Sequence, residues 1–345
     1  MLNKVPYPRL ALLLTLLTMA SFYRSPIAHA GGGPDAVGLV SLSDITSVLK
    51  NSDGPLQVGT FTSNATTGEP AANFNGNLPS NYNPNLGAVP GNMGPNALPV
   101  QKIDDDSMKQ IWVMIRVEAN SSDKGDDIAV APHIDLLIPF NQVVAAEFQS
   151  LPLEYFKTSP QVAQSRGATN TTGTVPGDVY AGALFNVVKE TQYVPEIKVK
   201  LLVKTTTGKD YVDGRFTNAP AYLFEAILGK NVYQNADTFI QRVRLLGQAG
   251  FFAWQRQVTG QDDAVTLGAG VEVDMKDGLS ATLEVDGYRG WLQGDKPAVL
   301  SLSIRKSTTH VDYVLEVDRG LDADAPDWGI SFGVVFHADA PTFPL

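Results

Sequence analysis

The chain of 345 residues has no cysteine, which excludes a disulfide-stapled scaffold and any thiolate metal centre. It has four histidines, and one of them, His29, lies in an apolar leader, so a histidine-rich metal site is excluded as well. No cofactor and no metal is therefore expected. Basic residues are the minority, 26 against 36 acidic, for a net charge of −10. Without a basic stripe to replace phosphate counterions, nucleic acid is not an expected partner. Long apolar runs are also missing. Beyond the N-terminus nothing approaches the roughly 20 apolar residues of a membrane-spanning helix, and any insertion into a bilayer would have to use strands, whose alternation hides from a hydropathy average.

What is present begins with a secretory plan over residues 1–30. Lys4 and Arg9 precede the apolar run "LALLLTLLTMA", and Ala28-His29-Ala30 supplies a small-x-small cleavage site. That run is too short to span a bilayer as a helix, so a cleaved signal peptide is expected, with a mature chain starting near Gly31. Residues 31–107 are crowded with Gly, Pro, Asn, Ser and Thr, as in "NFNGNLPSNYNPNLGAVPGNMGPNALP". Such a composition buries too little apolar surface to offset the entropy of ordering, and reads as a flexible linker or a plug-like segment. Only residues 36–50, "AVGLVSLSDITSVLK", carry the apolar spacing of a short amphipathic helix.

After "IDDDS" the pattern becomes period-two alternation almost to the end. It predicts strands at 109–118, 128–138, 142–151, 178–189, 194–205, 219–230, 238–252, 264–274, 279–290, 297–306, 309–318 and 328–338. Each is near the ten residues expected of a tilted membrane strand. The connections alternate between longer and shorter ones: 152–177 is very long, "ETQY" short, 206–218 long and "MKDG" short. A soluble sandwich has no need of that rule, whereas outer-membrane barrels have short turns on one side and longer loops on the other. The expected fold is all-β: an antiparallel transmembrane β-barrel of about 12 strands over 108–338, with a tail at 339–345.

The strands have two faces. In "VPEIKVKLLVKTTTG", Ile197, Val199, Leu201 and Val203 oppose Glu196, Lys198, Lys200 and Lys204. In "TLGAGVEVDMKDGLSATLEVDGYRG", Val271, Val273, Leu283 and Val285 oppose Glu272, Asp274, Glu284 and Asp286. If apolar faces meet lipid, the lumen receives Lys198, Lys200, Lys204, Arg242, Arg244, Glu272, Asp274, Glu284, Asp286, Arg305, Asp312 and Glu316. The basic members fall mostly before residue 250 and the acidic ones after 270, so a basic wall is expected to face an acidic one. Two outcomes stay open: opposed walls that select charged solutes, or charges that pair and close the lumen. The loop 152–177 could fold inward as a constriction. His133 beside Asp135, and His310 near Asp312 with Ser301 or Ser303, make a hydrolase conceivable, but no nucleophile-elbow motif brings a serine to a histidine, and the expectation is a non-enzyme. The acidic loops "SDKGDD" and "DADAPD" lack the ligand order of a calcium loop and read as solvated. Asn64, Asn120 and Asn170 open N-x-Ser/Thr triplets.

The last strand, "WGISFGVVFHA", places Trp328, Ile330, Phe332, Val334 and Phe336 on one face, and Ser331, Gly333 and Phe336 resemble a barrel-assembly signal. Gly177-Asp178-Val179, Pro195 heading the strand that ends in "KTTTG", "LEVDGY" (283–288) and "GLDADAPDWGISFGVVF" (320–336) resemble the outer-membrane barrels labelled phenol meta-pathway proteins. That resemblance implies a transporter or channel in the outer membrane, with membrane lipid, the barrel-assembly machinery and a small-molecule solute as partners. It leaves the oligomeric state and the solute open. The competing readings are a soluble periplasmic or secreted β-rich binding protein, and a structural or adhesive barrel without transport.

Overall fold

The alternating segments close into one antiparallel barrel in the computed structural model, which describes residues 93–103, 108–255, 261–291 and 296–339. The expected signal peptide, the helix at 36–50 and the Asn64 triplet lie outside the described residues. In chain order the elements are β1 (Gln110–Ser122), β2 (Asp127–Pro139), β3 (Val144–Ser150), β4 (Glu154–Thr158), α1 (Pro160–Arg166), β5 (Thr172–Val175), β6 (Val179–Val188), β7 (Glu196–Lys204) and β8 (Ala221–Gln234). They continue with β9 (Ile240–Gln255), β10 (Gln261–Met275), β11 (Leu279–Gly290), β12 (Ala298–Ser307), β13 (Val311–Gly320) and β14 (Trp328–Asp339).

Closure is made by β1, which pairs with β2 on one side and with β14 on the other, from Gln110↔Asp339 to Ser121↔Trp328. Closing the sheet removes the edges that an open one would present. Of the fourteen strands, β4 and β5 stand apart from the cylinder. β3 pairs with the lower half of β2, Ile134 to Pro139, while β4 pairs with its upper end, Asp127 to Val130, and β5 extends β4. The other twelve form the wall, each antiparallel to its sequence neighbours in it.

Two connections differ from expectation. β1 and β2 run on through the polar residues around 120–128, because their pairing continues to Ser122↔Asp127, so the first loop is only the turn at 123–126. Residues 152–177 are not an unstructured inward loop. They fold as the β4–β5 hairpin and the short helix α1, capped by Ser159 Oγ accepting from Val162 N and ended by Gly167 at φ 70.

The faces sort by alternation as lipid and lumen would require. Along β11, Leu283 and Val285 are 45% and 42% exposed, while Glu284 and Asp286 between them are 6% and 1% exposed. Ile115, Val117, Leu302, Ile304, Leu315, Val317, Ile330 and Phe332 extend this exposed apolar belt around the wall. In water such a surface would be a severe liability; against acyl chains it is the favoured state. Aromatic side chains stand near its two borders. Trp291 and Trp328 lie at the end carrying the longer loops, and Phe140, Tyr233, Phe239, Tyr313 and Phe336 lie toward the end carrying the short turns. Among the described residues no helix is long and apolar enough to cross a membrane.

Candidate functional site: a charged lumen threaded by its own strap

The lumen is lined by every second side chain of each strand, and their register sets them in tilted rows. One row reads Glu118, Ser331, Glu316, Ser303, Thr282, Glu272 and Arg244 across β1, β14, β13, β12, β11, β10 and β9. The next reads Asn120, Gly329, Asp318, Ser301 and Glu284. Carboxylates thus face inward from β11 and β13 with serines of β12 between them.

Residues 93–103 run down the inside of this barrel as a strap that turns once, where Ala97 N donates to Gly94 O at 3.0 Å, and carries no regular structure beyond. At the loop end, Gly94 N donates to Gly214 O at 2.6 Å, and Asn96 Nδ2 donates to Glu154 Oε2 at 2.5 Å. Lower down, Leu98 packs into a cluster with Phe252, Trp254 and Tyr288, whose rings lie 5.7 to 6.2 Å apart. Gln248 Nε2 then donates to Gln101 O at 2.7 Å. Lys102 Nζ meets Glu316, and Asp318 at 2.8 Å, and the backbone N–H of Ile103 reaches Glu284. Ile103 and Met108 finally join Trp112, Leu137, Val314 and Val335 near the turn end. The strap has no ladder of its own; apart from the Gly94–Gly214 backbone bond, it is held by side chains.

The space left beside the strap is a cavity of about 450 Å³. Of the lumen residues expected from the sequence, Lys200, Arg242, Glu272, Glu284, Arg305 and Glu316 line it. Asp286 lines a smaller cavity of about 80 Å³ under the loop end, together with Lys102, Ser301 and Asp318. Lys198, Lys204, Arg244 and Asp312 are buried without lining either cavity, and Asp274 holds Arg242 Nε at 2.6 Å.

The basic residues do not form a bare wall. Lys204 meets Asp178 at 2.6 Å, Lys200 meets Glu225 at 3.8 Å, and Lys198 meets Glu196 at 3.9 Å. Arg242 bridges Glu272 and Asp274. Arg244 reaches both Glu190 and Glu196 at 2.7 Å by lying across β8, where Gly229 leaves the room: a Cβ there would stand 2.0 Å from its Nη2. Pairing is thus local on the basic side: Lys198, Lys200, Lys204 and Arg242 each find a carboxylate on their own strand, an adjacent one or its connection, and Arg244 reaches one strand further. The acidic side differs. There Arg116 lies 3.6 Å from Glu316, and Lys102 of the strap meets both Glu316 and Asp318.

Arg116 and Glu118 could have been found by extending the alternation along β1. Lys102 could not, because the segment holding it has no periodicity. The loop 152–177 contributes no residue to the larger cavity, and the strap supplies the narrowing instead. The histidines have acidic neighbours: His133 Nε2 lies 3.4 Å from Glu118, and Asp312 is held by His337 at 2.9 Å. Ser301 Oγ has no hydrogen-bond partner among the described residues.

At the loop end a second polar group ties the connections together. Arg215 is bonded to Asp127 and Glu154, Arg166 reaches Asp127 at 2.7 Å, and Phe156 lies under the Arg215 guanidinium at 4.6 Å. Asp327 Oδ2 accepts from Lys124 N and Gly125 N, joining the two acidic loops. Asp213 accepts from Thr169 N, Asn170 N and Asn170 Nδ2, which holds its carboxyl below the usual range despite partial burial. Asp210 beside it is pushed up to about 6, first by burial and then by the Asp213 charge and hydrogen bond.

Comparison with protein-family models finds no match, and comparison with curated proteins finds none. Among solved structures, the chain is similar to the COG4313 outer membrane channel from Pseudomonas putida F1, at 10% identity and a TM-score of 0.51, over 71% of this chain and 98% of that one. It is also similar to the KdgM porin in complex with disordered oligogalacturonate, at 9% identity and a TM-score of 0.41, over 68% and 99%. With the closed twelve-stranded wall described above, the first of these likenesses shows the fold: the protein has the fold of an outer-membrane β-barrel.

Proposed function

We propose that this barrel lies in the bacterial outer membrane and passes small polar or charged solutes passively, with the lumenal charges as the selecting groups. One observation carries the reading: a charge-lined cavity of about 450 Å³ runs inside a closed wall whose outer belt is apolar. That size is within the range of small-molecule sites, roughly 300 to 1,000 Å³. The short turns would face the periplasm and the longer loops the exterior. The last strand, with Ser331, Gly333 and Phe336, would be read by the barrel-assembly machinery. Resemblance to the phenol meta-pathway barrels supports transport, while the solute is better argued from the lining, which is mainly ionic.

Planar-bilayer recording on the folded, detergent-purified chain tests this. Discrete solute-permeable currents are expected. A well-folded barrel without them would favour the structural reading, which the dense pairing on β7 to β9 supports. Cell fractionation tests the soluble reading: a mature chain that stays in solution without detergent would overturn membrane residence.

A further inference from the structure

The acidic side of the lumen has a cation of its own chain seated in it. Lys102 comes from outside the barrel strands, and its ammonium sits against Glu316 and Asp318, more than 200 residues away in sequence. The surroundings hold more acceptors than this one ammonium uses. Glu284 and Asp286 of β11 stand beside the same row, and Ser301 lies in register between Glu284 and Asp318. Asp286 gives one oxygen to Gln248 Nε2 at 3.2 Å. Its Oδ2, and the Oγ of Ser301, have no hydrogen-bond partner among the described residues, although both residues are 1% exposed. With Lys102 and Asp318 they line the same small cavity. Buried acceptors without a donor are costly, and a donor-rich, compact cation is the group that satisfies them.

We infer that the wall formed by Glu284, Asp286, Ser301, Glu316 and Asp318 is a binding site for the primary ammonium group of cationic solutes, and that Lys102 is its built-in occupant. This rests on the channel reading and names its solute class. An alkylammonium offers the same three donors and the same charge as Lys102, and its chain would extend into the larger cavity, where Thr282, Ser303 and Met114 line the path. Because the strap is attached by wall side chains and not by a strand ladder, an incoming ammonium has to displace a tethered competitor without unpairing the barrel. A tethered group acts at an effective concentration of about millimolar. The free solute therefore has to reach a comparable concentration, or the strap has to be released, before passage begins.

The experiment uses the full-length folded barrel, wild type and Lys102→Met, with n-butylammonium as probe and butyrate as control, read by calorimetry. Removing the competitor should tighten butylammonium binding at least about tenfold, with no binding of butyrate. Adding Glu316→Gln and Asp318→Asn to that variant should abolish the gain. Equal affinity in wild type and Lys102→Met, or equal binding of butyrate, overturns the site. If Lys102→Met does not fold, hydrogen exchange on the wild type decides. Butylammonium should accelerate exchange of residues 96–103, and butyrate should not; no acceleration overturns the proposal. Bilayer conductance is measured on the same samples, so a barrel that binds the amine without conducting current sinks the channel reading and leaves the site standing.

Discussion

Arg215 and Asp127, 88 residues apart in the chain, meet through two hydrogen bonds of 2.9 Å from one guanidinium nitrogen to both carboxylate oxygens, and neither side chain is exposed. The same guanidinium bonds Glu154 at 2.6 Å and packs against Gly94, where a Cβ would stand 2.5 Å from its Cζ. One side chain therefore joins the connection at 205–220 to β2, to β4 and to the strap.

Removing that cation leaves two buried carboxylates facing each other, offset by Arg166 and Thr158 at Asp127 and by Asn96 at Glu154. Arg215→Met should cost about 3 to 5 kcal/mol, the range for breaking a buried ion pair on one side. Arg215→Lys should recover little of it, because a point charge cannot serve both carboxylates in a planar fork. Urea unfolding of the barrel in lipid vesicles measures this, and a wild-type midpoint for Arg215→Met would show that the group is not structural.

Leu283 and Ser303 lie on opposite faces of neighbouring strands, Leu283 exposed on the outer belt and Ser303 lining the cavity. Leu283→Arg should destabilise the barrel by roughly 2 to 4 kcal/mol if the side chain lies near the bilayer midplane. Ser303→Arg should change folding little and shift ion selectivity toward anions, since it adds a cation beside Glu316. Similar folding losses in both variants would contradict the assigned faces.

Asp210 provides a pH test outside the wall. Its folded pKa of about 6 is above the ordinary 3.8. The folded loop therefore keeps a proton that the opened loop has lost, and its stability is greatest below that ordinary value and falls as pH rises through about 6. Protection factors over 205–220, taken relative to the intrinsic exchange rate at each pH, should be lower at pH 7.5 than at pH 5. Asp210→Asn keeps a donor toward Asp213, removes the charge and suits the left-handed backbone at φ 71, so it should flatten that difference. A dependence that survives the substitution would assign it to another group.

Because the chain has no cysteine, single thiols report sidedness without background. Lys124, in the turn between β1 and β2, and Asp277, in the turn between β10 and β11, lie at opposite ends of the barrel. In intact cells a membrane-impermeant maleimide should label Lys124→Cys and spare Asp277→Cys. The reverse pattern would invert the orientation.

The wall was legible because its signal is local and repeated. Side chains in a strand alternate with period two, so a run such as Glu284-Val285-Asp286 states which residues share a face before any partner is known. Connection lengths extended that reading to closure, since short turns and longer loops alternate only when every strand reverses between two sides. The extra hairpin in 152–177 escaped because its strands are short, four and five residues, and lie among turn-forming residues.

Which charges meet, and what fills the barrel, were decided elsewhere. Lys198, Lys200 and Lys204 read as one basic row, yet Asp178, Glu196 and Glu225 stand beside them, because pairing depends on register and strand order, which alternation does not encode. The strap is the clearest case. Residues 93–103 carry no period and are broken by Gly94, Pro95 and Pro99, so by themselves they specify no structure. Inside the closed wall Leu98 finds the aromatic cluster, Gln101 finds Gln248, and Lys102 finds Glu316 and Asp318. The sequence by itself determined a wall with an apolar and a charged face, since that follows from near-neighbour geometry. Only the tertiary structure decided that the acidic face is answered by a lysine from the chain's own N-terminal segment, because that contact exists only once the cylinder has closed around it.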